Sequence, residues 1–244
     1  MLPTVFIADL HLDERRPRIV QLFLQFLQET AGRADALYIL GDLFEAWIGD
    51  DAVPADHPVL AGLRAFAATG TPLYVMRGNR DFLLGEGFAE ATGARMLDDP
   101  TVIRLGDEPV LLMHGDLLCT DDRDYQQFRA MVHDPAWQRE FLARSVEERL
   151  ALAREARDES TSHTSALAGG SEAIMDVNPD AVRETMREHG VQRLIHGHTH
   201  RPDTHTFELD GRPATRIVLG DWFEQGSVLR YQDGDYQLRE IPVG

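Results

Sequence analysis

The chain has 244 residues, 43% hydrophobic and 27% charged, which places it among folded globular proteins and excludes a disordered or fibrous chain. Its 24 basic residues face 41 acidic ones, and the net charge of −17 argues against a nucleic-acid-binding surface. All the basic residues are Arg, so Schiff-base or Walker-type lysine chemistry is ruled out; the bland reading of the missing Lys is genomic composition.

Taken in chain order, the apolar runs Val5–Ala8, Ala36–Leu40, Leu73–Met76, Val110–Met113 and Leu194–Ile195 predict buried strands. The first of them begins too early and ends too polar for a secretory leader. Helices are predicted at 17–30, opened by Pro17, and at 58–68 and 82–91. Asn178-Pro179 reads as an N-cap and first helical residue, with the helix running to about His189 and stopping at Gly190. After residue 200 the pattern turns to short strands, Thr206–Leu209, Arg216–Leu219, Ser227–Tyr231 and Gln237–Ile241, punctuated by Asp210-Gly211 and Asp233-Gly234 turns. The expected fold class is a layered α/β (α+β) arrangement, one domain over residues 1–244.

Residues 120–177 interrupt this rhythm. They carry two predicted helices, about 122–132 and 136–158, then the Ser/Thr/Gly-rich stretch Ser160–Ser171. The longer helix lines up Leu142, Val146, Leu150 and Ala153 on one side and sets Arg139, Arg144, Arg149, Arg154 and Arg157 elsewhere. The segment reads either as a helical hairpin over core surface or as a cap over the site. The single cysteine, Cys119, reads as a small packed residue and fits a reducing cytoplasm. No apolar run reaches the roughly 18 residues a membrane span requires.

The chemistry lies in the residues just beyond each apolar run. Asp9-Leu10-His11, Gly41-Asp42, Gly78-Asn79, His114 and Gly197-His198-Thr199-His200 place ligand-type residues at the carboxyl ends of successive strands, where α/β sheets build their sites. In extended chain, Asp9 and His11 point the same way, as do His198 and His200. Two carboxylates, one amide and four imidazoles are too many for one transition-metal ion but suit two ions sharing a carboxylate. Each residue alone has a bland alternative: Asp42 could cap a helix and Gly78-Asn79 could be an ordinary turn. The mixed nitrogen and oxygen set without thiolate favours Mn, Fe, Zn or Co over Ca, with Mn²⁺ the expected ion.

The ordered set resembles the calcineurin-like metallophosphoesterases, whose motifs read D-x-H, GD-x-x-[DE], GN-x-[DE], H and GH-x-H. Here they stand as Asp9-Leu10-His11, Gly41-Asp42-Leu43-Phe44-Glu45, Gly78-Asn79-Arg80-Asp81, His114 and Gly197-His198-Thr199-His200. The resemblance implies a β-sandwich flanked by helices, with a helical cap insertion at about 120–177. It also implies one metal ion on Asp9, His11, Asp42 and His200 and a second on Asp42, Asn79, His114 and His198.

Within that superfamily, the longer runs ALYILGDLFEAWIGDD, RGNRDFLLG, MHGDLLCTDD, AIMDVN and LIHGHTHRP resemble the UDP-2,3-diacylglucosamine diphosphatase family over nearly the whole chain. That likeness implies a lipid A biosynthesis hydrolase releasing UMP and 2,3-diacylglucosamine 1-phosphate. In it, a hydroxide activated by two ions attacks the uridine-side phosphorus. It further implies substrate contacts from Asn79, Arg80, Asp122, Ser160, Thr164 and His198, and peripheral association with the cytoplasmic face of the inner membrane. Two departures stand out: the family's cap Lys is replaced by Leu167, leaving that contact to Arg157 or another cap arginine, and Gly169-Gly170-Ser171 reads as a small insertion. His196 is expected to support the site without ligating. Asp116, Asp121 and Asp124 are read as solvated or capping, and His163 could approach a phosphate. Another phosphoesterase on this scaffold, or a scaffold without metals, are the competing readings.

Overall fold

Because side chains alternate along a strand, a strand that is apolar at every position must be covered on both faces. The apolar runs obey this in the computed structural model, which describes residues 1–54, 56–167 and 176–243, with the side chains of 157–167 left out of the description. Strand β1 (Thr4–Ile7) sends Val5 and Ile7 to one layer and Phe6 to the other. Helix α1 (Pro17–Thr30) follows, then β2 (Ala36–Leu40), α2 (Pro58–Ala67), β3 (Leu73–Met76), α3 (Glu86–Thr92) and β4 (Arg95–Leu97). Next come β5 (Thr101–Leu105) and β6 (Glu108–Met113). Three helices interrupt the sheet: α4 (Arg123–Val132), α5 (Pro135–Leu142) and α6 (Val146–Leu167). The chain resumes with α7 (Pro179–Glu188), β7 (Arg193–His196), β8 (Asp203–Leu209), β9 (Arg212–Val218), β10 (Gln225–Gln232) and β11 (Asp235–Pro242).

The strands form two sheets, ordered β11-β10-β1-β2-β3-β4 and β5-β6-β7-β9-β8. β1, β2, β3 and β4 pair in parallel, as do β6, β7 and β9, while β10, β11, β5 and β8 join antiparallel. The layers follow from three apolar clusters. Val5, Ile7, Leu37, Ile39 and Val75 pack under α1 and α2 through Phe23, Phe26, Leu63 and Phe66. Phe6, Leu40, Met76, Val110, Leu112, Ile195 and Ile217 fill the space between the sheets. Leu111, Met113 and Leu194 pack against Val182 and Met186 of α7. The expected β-sandwich flanked by helices is therefore present.

Several local expectations match closely. Helix α1 coincides with 17–30, and Asn178 caps α7 by accepting from Asp180 N and Ala181 N, with His189 the C-cap and Gly190 beyond it at φ 65°. The Asp210-Gly211 and Asp233-Gly234 turns have φ > 0 at both positions, as a two-residue hairpin turn demands. Other expectations need correcting. The helix expected at 82–91 is confined to Glu86–Thr92, because Asp50 reaches over from another loop to accept from Gly85 N and Phe88 N at its start. β4 and β5, short and mixed in polarity, lie outside the expected strands.

The long cap helix expected at 136–158 is two helices. Ser145 and Glu148 form a reciprocal capping box, Ser145 N donating to Glu148 Oε2 (2.9 Å) and Glu148 N to Ser145 Oγ (3.3 Å), which starts α6 afresh. α6 then continues through Ser160 to Leu167, so part of the Ser/Thr-rich stretch is helical; Ser and Thr disfavour a helix only mildly. Its apolar stripe divides: Val146 and Ala153 pack against the core and Leu142 and Leu150 are exposed, whereas Arg149 is 2% exposed. Arg149 turns inward because its guanidinium donates to Ile48 O (2.7 Å) and pairs with Asp51. Among the described residues, no helix is long and apolar enough to cross a membrane.

Candidate metal centre

The ligand-type residues sit beyond the strand ends, and their backbone is not extended. Asp9, His11, Asp42, His198 and His200 have φ of 55°, 48°, 50°, 68° and 55°, so the expectation that D-x-H and H-x-H side chains align along extended chain is overturned. A left-handed backbone is strained for residues with a Cβ, and the surroundings must hold it. Here cross-loop hydrogen bonds do so: Asp9 N donates to Gly41 O (3.2 Å), His11 N to Asp42 O (2.8 Å), Gly197 N to His114 O (2.8 Å) and Trp222 N to Asp9 O (3.0 Å). Two glycines permit the approach. A Cβ on Gly41, at φ 89°, would collide with His114 Nδ1, and one on Gly78 would collide with Asp42 Oδ1.

All seven expected ligands come together. On one side, His11 Nε2 lies 3.2 Å from His200 Nε2, and His200 Nε2 lies 3.5 Å from Asp9 Oδ1. On the other, Asn79 Oδ1 lies 2.9 Å from His114 Nε2 and 3.0 Å from His198 Nδ1. Asp42 Oδ2 sits between the two groups, 3.7 Å from His11 Nε2 and 3.8 Å from His114 Nε2. Asp9 also belongs to both neighbourhoods: its ligand oxygens fall with His11 and His200 and, separately, with Asp42 and His114, within 4.8 Å of one another.

The donor chemistry fits divalent cations. Asp9 Oδ1 is buried and has no hydrogen-bond partner among the described residues, a costly state for a carboxylate oxygen unless a cation meets it. The His11 and His200 rings converge nitrogen to nitrogen, an arrangement a shared cation serves, while Asn79 Oδ1 meets His114 Nε2 and His198 Nδ1. Burial opposes ionisation of Asp9, but the neighbouring imidazoles of His200, His114 and His11 outweigh this and lower its pKa to about 2. Burial drives His198 down to about 4, reinforced by His114, which suits a neutral ligating imidazole. For His114 burial is overcome by Asp42, Asp116 and Asp9, which raise it to about 9.

Several supporting residues escaped the sequence reading of the site. Asp81, fully buried, accepts from Gly78 N (2.8 Å), Leu43 N (2.8 Å) and Phe44 N (3.2 Å), tying the Asp42 loop to the Asn79 loop. Its pKa rises to about 6 through burial and the charge of Asp42. Glu45 Oε2 lies 3.3 Å from His11 Nδ1, on the side away from His200. Both stand at the acidic positions of the GD-x-x-E and GN-x-D motifs, which was the available signal. Asp221 Oδ2, 3.5 Å from His200 Nδ1, had no such signal.

Around the centre, Arg80 N donates to Asp42 Oδ1 (2.8 Å), while its half-buried guanidinium forms no ion pair among the described residues. Asp122 caps α4 by accepting from Tyr125 N (3.0 Å). Ser160 and Thr164 lie on α6, but their side chains, like those of Arg157, His163 and Leu167, are outside the described residues, as is Gly169-Gly170-Ser171. His196 is fully buried and bonds Gly197 O (2.8 Å), a supporting place as expected; burial and Arg216 lower its pKa to about 3. Cys119 is packed and buried. Asp121 accepts from Asn178 Nδ2 (3.1 Å), and Asp124 lies in the first turn of α4. Asp116 is a correction: rather than solvated or capping, it is buried and accepts from Tyr125 Oη (2.7 Å) and Arg129 Nε (2.6 Å), anchoring α4 beside His114.

Residues 2–202 match the calcineurin-like phosphoesterase family. A UDP-2,3-diacylglucosamine hydrolase of Stenotrophomonas maltophilia strain K279a is 54% identical over 242 residues, covering 97% of this chain and 98% of the relative. One from Xanthomonas campestris pv. campestris strain ATCC 33913 is 52% identical over 247 residues, covering 99% of this chain and 100% of the relative. Among solved structures, an archaeal phosphodiesterase aligns over 98% of this chain and 100% of its own, at 11% identity and a TM-score of 0.49.

Proposed function

The chain belongs to the calcineurin-like phosphoesterase family, a family of hydrolases, and on that premise we propose that it cleaves the diphosphate of UDP-2,3-diacylglucosamine, giving UMP and 2,3-diacylglucosamine 1-phosphate. The observation that carries the reading is full-length similarity, at 54% identity, to a hydrolase named for that substrate. Two divalent ions, Mn²⁺ in this reading, would be held by Asp9, His11, Asp42 and His200 and by Asp42, Asn79, His114 and His198. When bound, they would supply Lewis acidity, lowering the pKa of a water and neutralising charge on the diphosphate.

The chain's own groups do the rest. Arg80 presents a planar guanidinium beside Asn79 and takes paired phosphate oxygens. Asn79, locked between His114 and His198, keeps its amide oxygen turned into the centre. Glu45 steadies the ring of His11 from behind. Two dications held there would outweigh the ligand carboxylates, giving the centre a local sign opposite to the global charge of −17 and suited to an anionic diphosphate. The segment 120–177 acts as a cap: Phe82, next to the Asn79 loop, meets His133 and Trp137 at 5.5 and 6.2 Å, which brings α4 and α5 to the edge of the site. Exposed Phe128, Met131, Leu142, Leu150 and Leu152 on α4–α6 offer apolar surface for the acyl chains. Asp122, Ser160 and Thr164 are proposed as further substrate contacts. The same surface supports peripheral association with the cytoplasmic face of the inner membrane, where a diacylated substrate resides.

The test is direct. Purified protein incubated with UDP-2,3-diacylglucosamine and Mn²⁺ should release UMP and the 1-phosphate in equal amounts. No release, alongside hydrolysis of bis-p-nitrophenyl phosphate, would reassign the chain to another phosphoesterase reaction.

A further inference from the structure

The two halves of the centre are held differently. His114 is fully buried, and Leu40 O fixes its Nδ1 at 3.0 Å. Its neighbour His198 is anchored by its own backbone N–H, which donates to Asp9 Oδ2 at 2.8 Å. In the other half His11 is buried and His200, like His198, is partly exposed, its side chain at 29%. Around this half stands a second group of residues that the catalytic reading does not use. Phe223 stacks on the His11 ring at 5.2 Å with an interplanar angle of 11°, and meets the His200 ring at 5.4 Å. The Arg16 guanidinium lies 4.8 Å from the centroid of Phe223. It also donates to the carbonyls of Leu10 (3.2 Å), His11 and Trp222 (3.4 Å).

These contacts bind two loops that are distant in sequence. Trp222 is fully buried against Phe23 and Phe26 of α1, with its Nε1 donating to Ser227 O (3.1 Å) and its backbone N to Asp9 O. That fixed root sets the position of the exposed Phe223 over the two imidazoles. Phe223 N in turn donates to Asp221 Oδ1 (3.1 Å), and the other oxygen of Asp221 faces His200 Nδ1. Arg16 reaches the carbonyl of His11, the residue whose backbone is left-handed at φ 48°. A guanidinium on that carbonyl and an aromatic face on that ring fix both the backbone and the plane of one imidazole.

We infer that Arg16 and Phe223 are positioning residues that orient His11 and His200 and thereby set the affinity of one ion of the pair, leaving the other to the Asn79, His114 and His198 group. The inference rests on the two-ion reading of the centre. Outer contacts of this kind typically govern metal affinity by roughly 10–100-fold.

The experiment is a Mn²⁺ titration of chelator-stripped, full-length protein by calorimetry, with electron paramagnetic resonance to follow coupling between the ions. Wild type should bind two ions. Phe223→Leu, Phe223→Ala and Arg16→Gln should each weaken one site by roughly 10–100-fold and leave the other unchanged, with loss of the spin-coupled signal at limiting Mn²⁺. Phe223→Tyr, which keeps the ring, should restore both affinities. Because Phe223 is 44% exposed, its variants should keep the melting temperature of the ion-free protein. Two unchanged affinities, or both weakened together, would overturn the inference. Wild type binding fewer than two ions would overturn the two-ion reading itself, before any substitution is made.

Discussion

The sandwich and the helical segment 123–167 hold themselves together by different means. In the sandwich, strands covered on both faces end in loops cross-linked by backbone hydrogen bonds, so Asp9, Asp42 and His114 are buried and confined. The helices α4–α6 keep Phe128, Met131, Leu142, Leu150 and Leu152 exposed, rest on the core through Phe141, Trp137, Val146 and Ala153, and are tied down by polar anchors: Asp116 with Tyr125 and Arg129, and Arg149 with Asp51 and Ile48 O. Groups that must hold a fixed geometry belong on the first kind of support; the apolar surface proposed for the acyl chains lies on the second.

That contrast is open to test, and its strongest challenge is Asp42→Ala. Removing the carboxylate between the two ligand groups should cost at least roughly 10²–10³-fold in turnover, with the fold retained by circular dichroism. Near wild-type turnover would mean that chemistry does not depend on the rigid region. Arg80→Ala should lower kcat/KM for the diphosphate substrate by roughly 10–100-fold, the worth of a charge-assisted hydrogen bond or two. Its effect on bis-p-nitrophenyl phosphate, which offers fewer phosphate oxygens, should be smaller.

Arg149→Ala tests the anchor between the regions. It leaves Ile48 O without its donor and opens a cavity, and should destabilise the protein by about 2–4 kcal/mol in a denaturant titration. Limited proteolysis should then cut first within 123–167, whereas uniform loss of protection would show the two regions to be one cooperative unit. The smallest effect belongs to Phe128→Ser. With a side chain already 42% exposed, stability should change by less than about 0.5 kcal/mol, while KM for the diacylated substrate rises by roughly threefold to tenfold. Bis-p-nitrophenyl phosphate should be unaffected, and equal changes on both substrates would remove the acyl-binding role.

Much of this was legible locally. Pro17 and the Asn178-Pro179 cap located α1 and α7 because capping acts over a few residues, and unbroken apolar runs located strands that are buried on both faces. The break between α5 and α6 was also local, in Ser145 and Glu148, but sat inside a continuous helical pattern that masked it. Arg149 carried no local signal: its inward turn depends on a carbonyl 101 residues away.

The sequence by itself determined the seven ligand-type residues, their order at the strand ends and the glycines beside them. Those are matters of residue chemistry, and they are complete without knowing where the chain goes. Only the tertiary structure decided that five of the seven bend into left-handed backbone, because the hydrogen bonds that hold that strain run between loops and not along them. It likewise placed Asp42 between His11 and His114, Asp81 behind two loops, and Arg16 and Phe223 against His11, the last pair drawn together across 207 positions of chain, from 16 to 223. No spacing rule spans such distances; the pairing of β1 with β2 and β10, and the packing of the second sheet against them, does.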